Sequence, residues 1–172
     1  MGKKALFLDR DGIINEDSAY PYKPEHIVFC DGIFELCKKA IDKGYILIVV
    51  TNQAGVAKGY FSEQDVESLH RWMKNEFHIR GINITAFYFS PYHPDGSVEQ
   101  YKKETDCRKP GPGMIRQAVK DHDIDLSVSL MLGDKDSDRI NIDGLKSLII
   151  KSNYVKSGYD LETLSMAEQH LN

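Results

Sequence analysis

Short apolar runs alternate along this chain with segments whose apolar positions recur every three or four residues. Ala5–Leu8 is the first run and stops at Asp9. In Asp31–Lys43 the apolar residues Ile33, Leu36, Cys37, Ala40 and Ile41 fall on one face, which predicts a helix, and Gly44 follows as its stop. Tyr45–Val50 is almost continuously apolar, the pattern of a strand buried on both faces. Ser62 and Asp65 have the spacing of a capping box, with Asp in place of Glu. The helix they open carries Val66, Leu69, Trp72, Met73 and Phe77 on one side.

Ile82–Phe89 is rich in β-branched and aromatic residues and predicts a third strand. Ser90–Gly111 is irregular, with Pro, Gly and mixed charge; a loop that long inside a compact domain is usually functional. Pro112 opens the next helix, with Met114, Ile115, Ala118 and Val119 facing inward. Val128–Leu132 and Leu148–Ile150 predict two further strands with a helix between them, and a weak final helix spans Leu161–Leu171. Such alternation implies an α/β fold, a parallel sheet with helices on both faces, in a single domain covering 1–172.

Composition narrows the function classes. The chain has 172 residues, 41% hydrophobic and 28% charged, as a soluble globular domain has. No apolar run approaches the length of a membrane span, and the N-terminal apolar stretch is too short for a signal peptide. The net charge of −4 offers no electrostatic case for nucleic acid. Cys30, Cys37 and Cys107 are odd in number and widely spaced, which fits reduced thiols in a cytoplasm.

In an open α/β sheet, ligands bind beyond the carboxyl ends of the strands. Those ends here carry Asp9-Arg10-Asp11-Gly12, Thr51-Asn52-Gln53 and Gly133-Asp134-Lys135-Asp136-Ser137-Asp138. Clustered acids repel unless a cation sits between them, and oxygen ligands suit Mg²⁺. Asp9 and Asp11 lie two apart, so in an extended segment they point the same way. Asp9 can then act as nucleophile while Asp11 handles a proton. Thr51 can hold phosphate oxygens, and Lys109 at the end of the long loop is the candidate cation for phosphoryl charge.

FLDRDGIINED, TNQAGVAKGYF, CRKPGPGM and MLGDKDSD, in this order, resemble the haloacid dehalogenase (HAD) superfamily of aspartate-nucleophile phosphotransferases. The second and third strings are similar to those of the D-glycero-D-manno-heptose-1,7-bisphosphate 7-phosphatase family. Histidinol-phosphate phosphatases are the nearest sister. The resemblance implies a Rossmann-like HAD fold and a Mg²⁺-dependent phosphatase acting on a small phosphorylated sugar through an aspartyl-phosphate. It implies that Asp9 is nucleophile and metal ligand, and that Asp11 is acid/base and gives the metal its backbone carbonyl. Asp134 is the third metal ligand, Asp138 acts from behind it, and Thr51 and Lys109 stabilise the phosphoryl group. Substrate contacts are expected from Arg10, Asp17, Ser18, Ala19, Tyr20, Asn52, Gln53, Ala54, Arg108 and Lys135. A phosphate-binding module without turnover is the rival from another class, and retention of Asp11 argues against it.

The family commonly folds its long loop around a structural Zn²⁺ held by three Cys and one His. Here Ser90, Tyr92 and Thr105 stand at three of those positions and only Cys107 is retained, so no structural zinc is expected. Only 19 residues separate Asp11 from Asp31, too few for a large cap domain. The site is therefore expected to be nearly uncapped, rimmed by the long loop and Asn15–Pro24, in a chain that works as a monomer.

Overall fold

The computed structural model describes residues 1–172. Its elements are β1 (Ala5–Leu8), α1 (Ile33–Asp42), β2 (Ile46–Asn52), α2 (Glu63–Ile79), β3 (Ile84–Ser90), α3 (Gly113–His122), β4 (Leu130–Gly133) and β5 (Lys146–Ile149). The strands form one parallel sheet in the order β3-β2-β1-β4-β5. Side chains alternate across it, as strand geometry requires. Leu6 and Leu8 of β1 pack with Leu36 of α1, Met73 and Phe77 of α2 and the C-terminal Leu164. Ala5 and Phe7 point the other way, onto Met114, Ile115 and Ala118 of α3. Helices thus cover both faces.

The helix starts follow local chemistry. Ser62 Oγ accepts from the Asp65 N–H (3.1 Å) and Asp65 Oδ2 accepts from the Ser62 N–H (2.8 Å), the reciprocal box that opens α2. Gly32, at φ 85°, precedes α1, and Gly44, at φ 86°, follows it.

Two expected helices are corrected. Between β4 and β5 there is only a 3₁₀ turn, Asp136–Asp138. The segment after it places Ile140 and Ile142 two apart, and both pack against the α3 face, so no helical stripe exists there. The C-terminal segment is a 3₁₀ helix, Leu164–His170, whose Leu164 and Ala167 are buried at eclipsed i,i+3 spacing.

β1 has β2 on one side and β4 on the other, so the strand order reverses beside it. That reversal opens the crevice in which such sheets bind ligands. Leu8 pairs with both Val49 and Leu132, so Asp9, Thr51 and Asp134 leave the sheet near one level.

Candidate active site

Asp9 follows β1, and its N–H still bonds Leu132 O (3.0 Å), so the sheet ladder fixes its backbone. Its carboxylate is buried. Oδ1 accepts from Lys109 Nζ at 2.9 Å and from the Arg10 N–H at 2.9 Å. Lys109 Nζ also donates to Asp138 Oδ1 at 2.5 Å. Asp138 Oδ2 accepts from the N–H groups of Asp134 and Lys135 (3.1 and 3.2 Å). With both oxygens committed, Asp138 is a brace: it closes the β4 turn and holds the lysine. Gly133 permits this, since a Cβ there would overlap the Asp138 side chain.

Asn52, at the end of β2, fixes Lys109 from the other side. Its Oδ1 accepts from the Lys109 N–H (2.9 Å) and its Nδ2 donates to Lys109 O (3.1 Å). This pair of bonds ties the long loop to the sheet edge.

Asp134 lies across from Asp9. Carboxylate oxygens of Asp9, Asp134 and Asp138 all fall within 4.8 Å of one another. Asp134 Oδ1 is buried without a hydrogen-bond partner, which a buried carboxylate tolerates poorly unless a cation completes it. Gly12, at φ 96°, supplies the space, because a Cβ there would collide with this carboxylate. Burial and the neighbouring Asp138 push the Asp134 carboxyl up to about 6. The same two causes raise Asp9 well above the usual range, against the pull of Lys109. Carboxylate donors with a free oxygen suit a hard divalent cation such as Mg²⁺, so the residues present fit that ion.

Asp11 has different surroundings. The strand ends at Leu8, yet Asp9 and Asp11 both line the cleft while Arg10 between them turns away from it, as the alternation predicts. Asp11 Oδ1 accepts from Arg10 Nε (2.9 Å) and Asn15 Nδ2 (3.0 Å). Its Oδ2 accepts from Arg10 (3.2 Å) and Gln53 Nε2 (3.2 Å). Burial raises its pKa, but the Arg10 charge and these bonds outweigh that and hold it below the usual carboxylate value. Arg10, expected to touch substrate, is fully buried instead. Its guanidinium is consumed by Asp11, Gln53, Pro21 O and His70, and it does not reach the cleft.

A cleft of about 310 Å³ opens above these groups. Asp9, Asp11, Thr51, Gln53 and Lys109 form its floor, while Arg108, Lys135, Ala19 and Tyr20 stand on its wall. Asp17 and Asn52 and Ala54 also reach it, but Ser18 does not. Asp134 faces the adjoining groove with Gly12 and Tyr154.

The family model for polynucleotide kinase 3 phosphatase matches residues 8–155. A D-glycero-alpha-D-manno-heptose-1,7-bisphosphate 7-phosphatase from Burkholderia mallei is 52% identical over 138 residues, 80% of this chain and 73% of that one. The D-glycero-beta-D-manno-heptose-1,7-bisphosphate 7-phosphatase of Escherichia coli K12 is 42% identical over 131 residues, 76% of this chain and 69% of that one. The chain belongs to this HAD-superfamily phosphatase family. It is a phosphoric monoester hydrolase. Among solved structures, a HAD-like protein from Mesorhizobium loti superposes with TM-score 0.83 at 31% identity, covering 98% of this chain and 84% of that one. The fold is also that of a D,D-heptose 1.7-bisphosphate phosphatase from B. bronchiseptica complexed with magnesium and phosphate (TM-score 0.80, 24% identity, 97% of both chains).

In this phosphatase the long-loop positions at which the resemblance places zinc ligands carry Ser90, Tyr92, Thr105 and Cys107. Cys107 Sγ lies 3.8 Å from Asp106 Oδ1, and His93 Nδ1 already accepts from the Asp95 N–H (3.0 Å). Hydroxyl side chains at Ser90, Tyr92 and Thr105 are poor zinc donors. Hydrogen bonds tie the loop down: Tyr101 OH donates to Glu63 Oε2 (2.7 Å), the Val98 N–H bonds Ala57 O (2.9 Å), and Arg108 donates to Tyr92 O (3.3 Å).

Four cleft residues escaped the sequence reading: Lys58, His93, Ser137 and Tyr154. Lys58 sits inside the TNQAGVAKGYF string and Ser137 inside MLGDKDSD, where spacing alone does not separate wall from scaffold. Tyr154 follows β5, and its OH donates to Asp17 Oδ2 (2.7 Å) beneath Lys135. Only the topology, which puts the β5 exit on the same sheet edge, brings it there.

Proposed function

We propose that the enzyme removes the 7-phosphate of D-glycero-D-manno-heptose 1,7-bisphosphate through an aspartyl-phosphate on Asp9. The buried Asp9 carboxylate, fixed by Lys109 and open to the cleft, carries this reading. In the first step Asp9 attacks phosphorus as the bond to the sugar oxygen breaks, and Asp11, carrying the proton it took from water in the preceding turnover, passes that proton to the sugar oxygen. In the second, Asp11 takes a proton from water, which attacks the same phosphorus and frees Asp9 and inorganic phosphate. Lys109 and Thr51 meet the charge on the phosphoryl oxygens. Arg108 and Lys135, on the cleft wall with Ala19 and Tyr20, hold the rest of the substrate, and Asp17 pairs with Lys135 (3.5 Å).

Asp9, Asp134 and the Asp11 carbonyl would hold Mg²⁺, which when bound neutralises phosphate charge and keeps both carboxyls ionised. The unpartnered Asp134 Oδ1 supports this assignment.

The substrate assignment is supported by relatives up to 52% identical that are named for heptose bisphosphates. The matching family model is named for a polynucleotide phosphatase, but a net charge of −4 opposes a nucleic-acid substrate. The enzyme is read as a monomer acting on a small phosphorylated sugar in the cytoplasm; no helix is long and apolar enough to cross a membrane. A panel of heptose 1,7-bisphosphate, histidinol phosphate and simple sugar phosphates tests the proposal. The heptose bisphosphate should have the highest kcat/KM, and a preference for histidinol phosphate would overturn it.

A further inference from the structure

The acid/base assigned to Asp11 is not free in its cleft. All of its hydrogen bonds lead back into a buried polar cluster that the chemistry above leaves unused. Gln53 is the centre of that cluster and is 3% exposed. Its Nε2 donates to Asp11 Oδ2 (3.2 Å) and to Thr51 Oγ1 (2.9 Å). Its Oε1 accepts from Arg10 (3.1 Å), so the guanidinium decides which way the amide faces. Arg10 in turn donates to His70 Nε2 (3.2 Å). Arg10 is a donor only, so that nitrogen is the acceptor and the His70 proton sits on Nδ1. The ring is buried and stacks on Phe87, with centroids 4.6 Å apart.

Directions along this chain of bonds are therefore fixed from His70 to Thr51. Because Thr51 Oγ1 accepts from Gln53, its own hydroxyl proton is left to point elsewhere, and Thr51 lines the cleft. One amide thus orients two groups: the hydroxyl that meets phosphate and the carboxylate that moves the proton.

We propose that Gln53 is a positioning residue for both Asp11 and Thr51, with Arg10 and His70 as the buried brace that sets its orientation. The inference rests on the assignment of Asp11 as acid/base. A plain substrate contact at Gln53 would act on KM, and a plain packing role would act on every substrate alike. Positioning Asp11 acts on kcat, and most where the leaving group needs a proton.

The test compares kcat and KM for the sugar phosphate and for p-nitrophenyl phosphate, whose leaving group needs little protonation. Gln53→Leu should lower kcat on the sugar phosphate by roughly 10–100-fold, the scale of a misplaced catalytic group. The loss on the aryl ester should be about tenfold smaller, because proton transfer contributes little there. His70→Leu, which removes the acceptor for Arg10, should show the same pattern in weaker form, and His70→Gln, which restores an acceptor, should recover part of it. These two variants keep the proposal testable if Gln53→Leu does not fold. Equal losses on both esters, or a change confined to KM, would overturn it. Asp11→Asn is the control: if it too fails to discriminate between the esters, the acid/base assignment itself is wrong. If it discriminates and the Gln53 and His70 variants do not, only the positioning role is.

Discussion

Replacing Lys109 by methionine tests the centre of the site. The lysine side chain is 3% exposed, and its partners Asp9 and Asp138 are 8% and 1% exposed. Solvent and salt screen little at that burial. Lys109→Met keeps the length of the side chain and removes both ion pairs, leaving two carboxylates facing each other in a buried space. Breaking a buried pair from one side costs about 3–5 kcal/mol, mostly the penalty of the stranded charge. At this chain length each kcal/mol moves Tm by about 2–4 °C, so a fall of roughly 6–20 °C is expected. Thermal unfolding in excess chelator is the assay, because a bound cation would mask the stranded acids. Adding Asp138→Asn should recover much of the loss: one charge disappears, while the amide oxygen still serves the N–H groups of Asp134 and Lys135. Activity should fall by about 10²–10³-fold, as when a preorganised donor to transition-state charge is lost. A Tm drop under about 2 °C for the single variant, or a double variant less stable than the single, would refute the electrostatic account.

Asp9→Asn should abolish turnover and phosphoryl-enzyme formation, since an amide is a poor nucleophile; trapping with labelled substrate checks it. Activity should require Mg²⁺, and Asp134→Ala should remove most of the metal affinity, measured by calorimetry; full turnover in excess chelator would contradict the carboxylate cluster. Protein purified without added metal should contain far less than one zinc per chain by elemental analysis, because Cys107 lacks thiolate or imidazole companions. Burial and Arg10 push His70 down to about 3, so the folded state keeps it neutral while the unfolded chain protonates it below its ordinary value of 6.5. The unfolded state then binds more protons between those values, and stability falls as pH drops through that window. From pH 7.5 to 5.5 the loss from this group is about 1.4 kcal/mol. Urea unfolding of wild type against His70→Gln isolates it, since the raised carboxyl of Asp134 acts in the opposite direction in both.

Much of the architecture was legible because local signals and packing agree. Val66, Leu69, Met73 and Phe77, four of the five residues assigned to the α2 face, are buried, and His70 is buried beside them. The Ser62–Asp65 box is where its spacing put it. The acids were legible as a cluster because strand ends in such sheets share one edge. The division of labour among them was not. Asn52 looks like a substrate contact from its position, yet its side-chain atoms are committed to Lys109; Asp138, expected behind the metal ligands, holds the same lysine and the β4 turn.

Arg10 is the instructive case. Between two acids and beside a cleft, an arginine invites assignment to a phosphate. The structure buries it completely, and the reason lies in residues far along the chain: Gln53 from the β2 exit and His70 from the middle of α2 supply its acceptors. No pattern of spacing links positions 10, 53 and 70. Only the packing of α2 against the sheet brings His70 and Phe87 together behind the β1 turn. A charge so deeply buried is tolerable only when its donors are satisfied, and here each guanidinium nitrogen has a partner. The same arrangement that makes Arg10 unavailable to substrate makes it useful to Asp11. A group that cannot move is a reference against which the acid/base can be held.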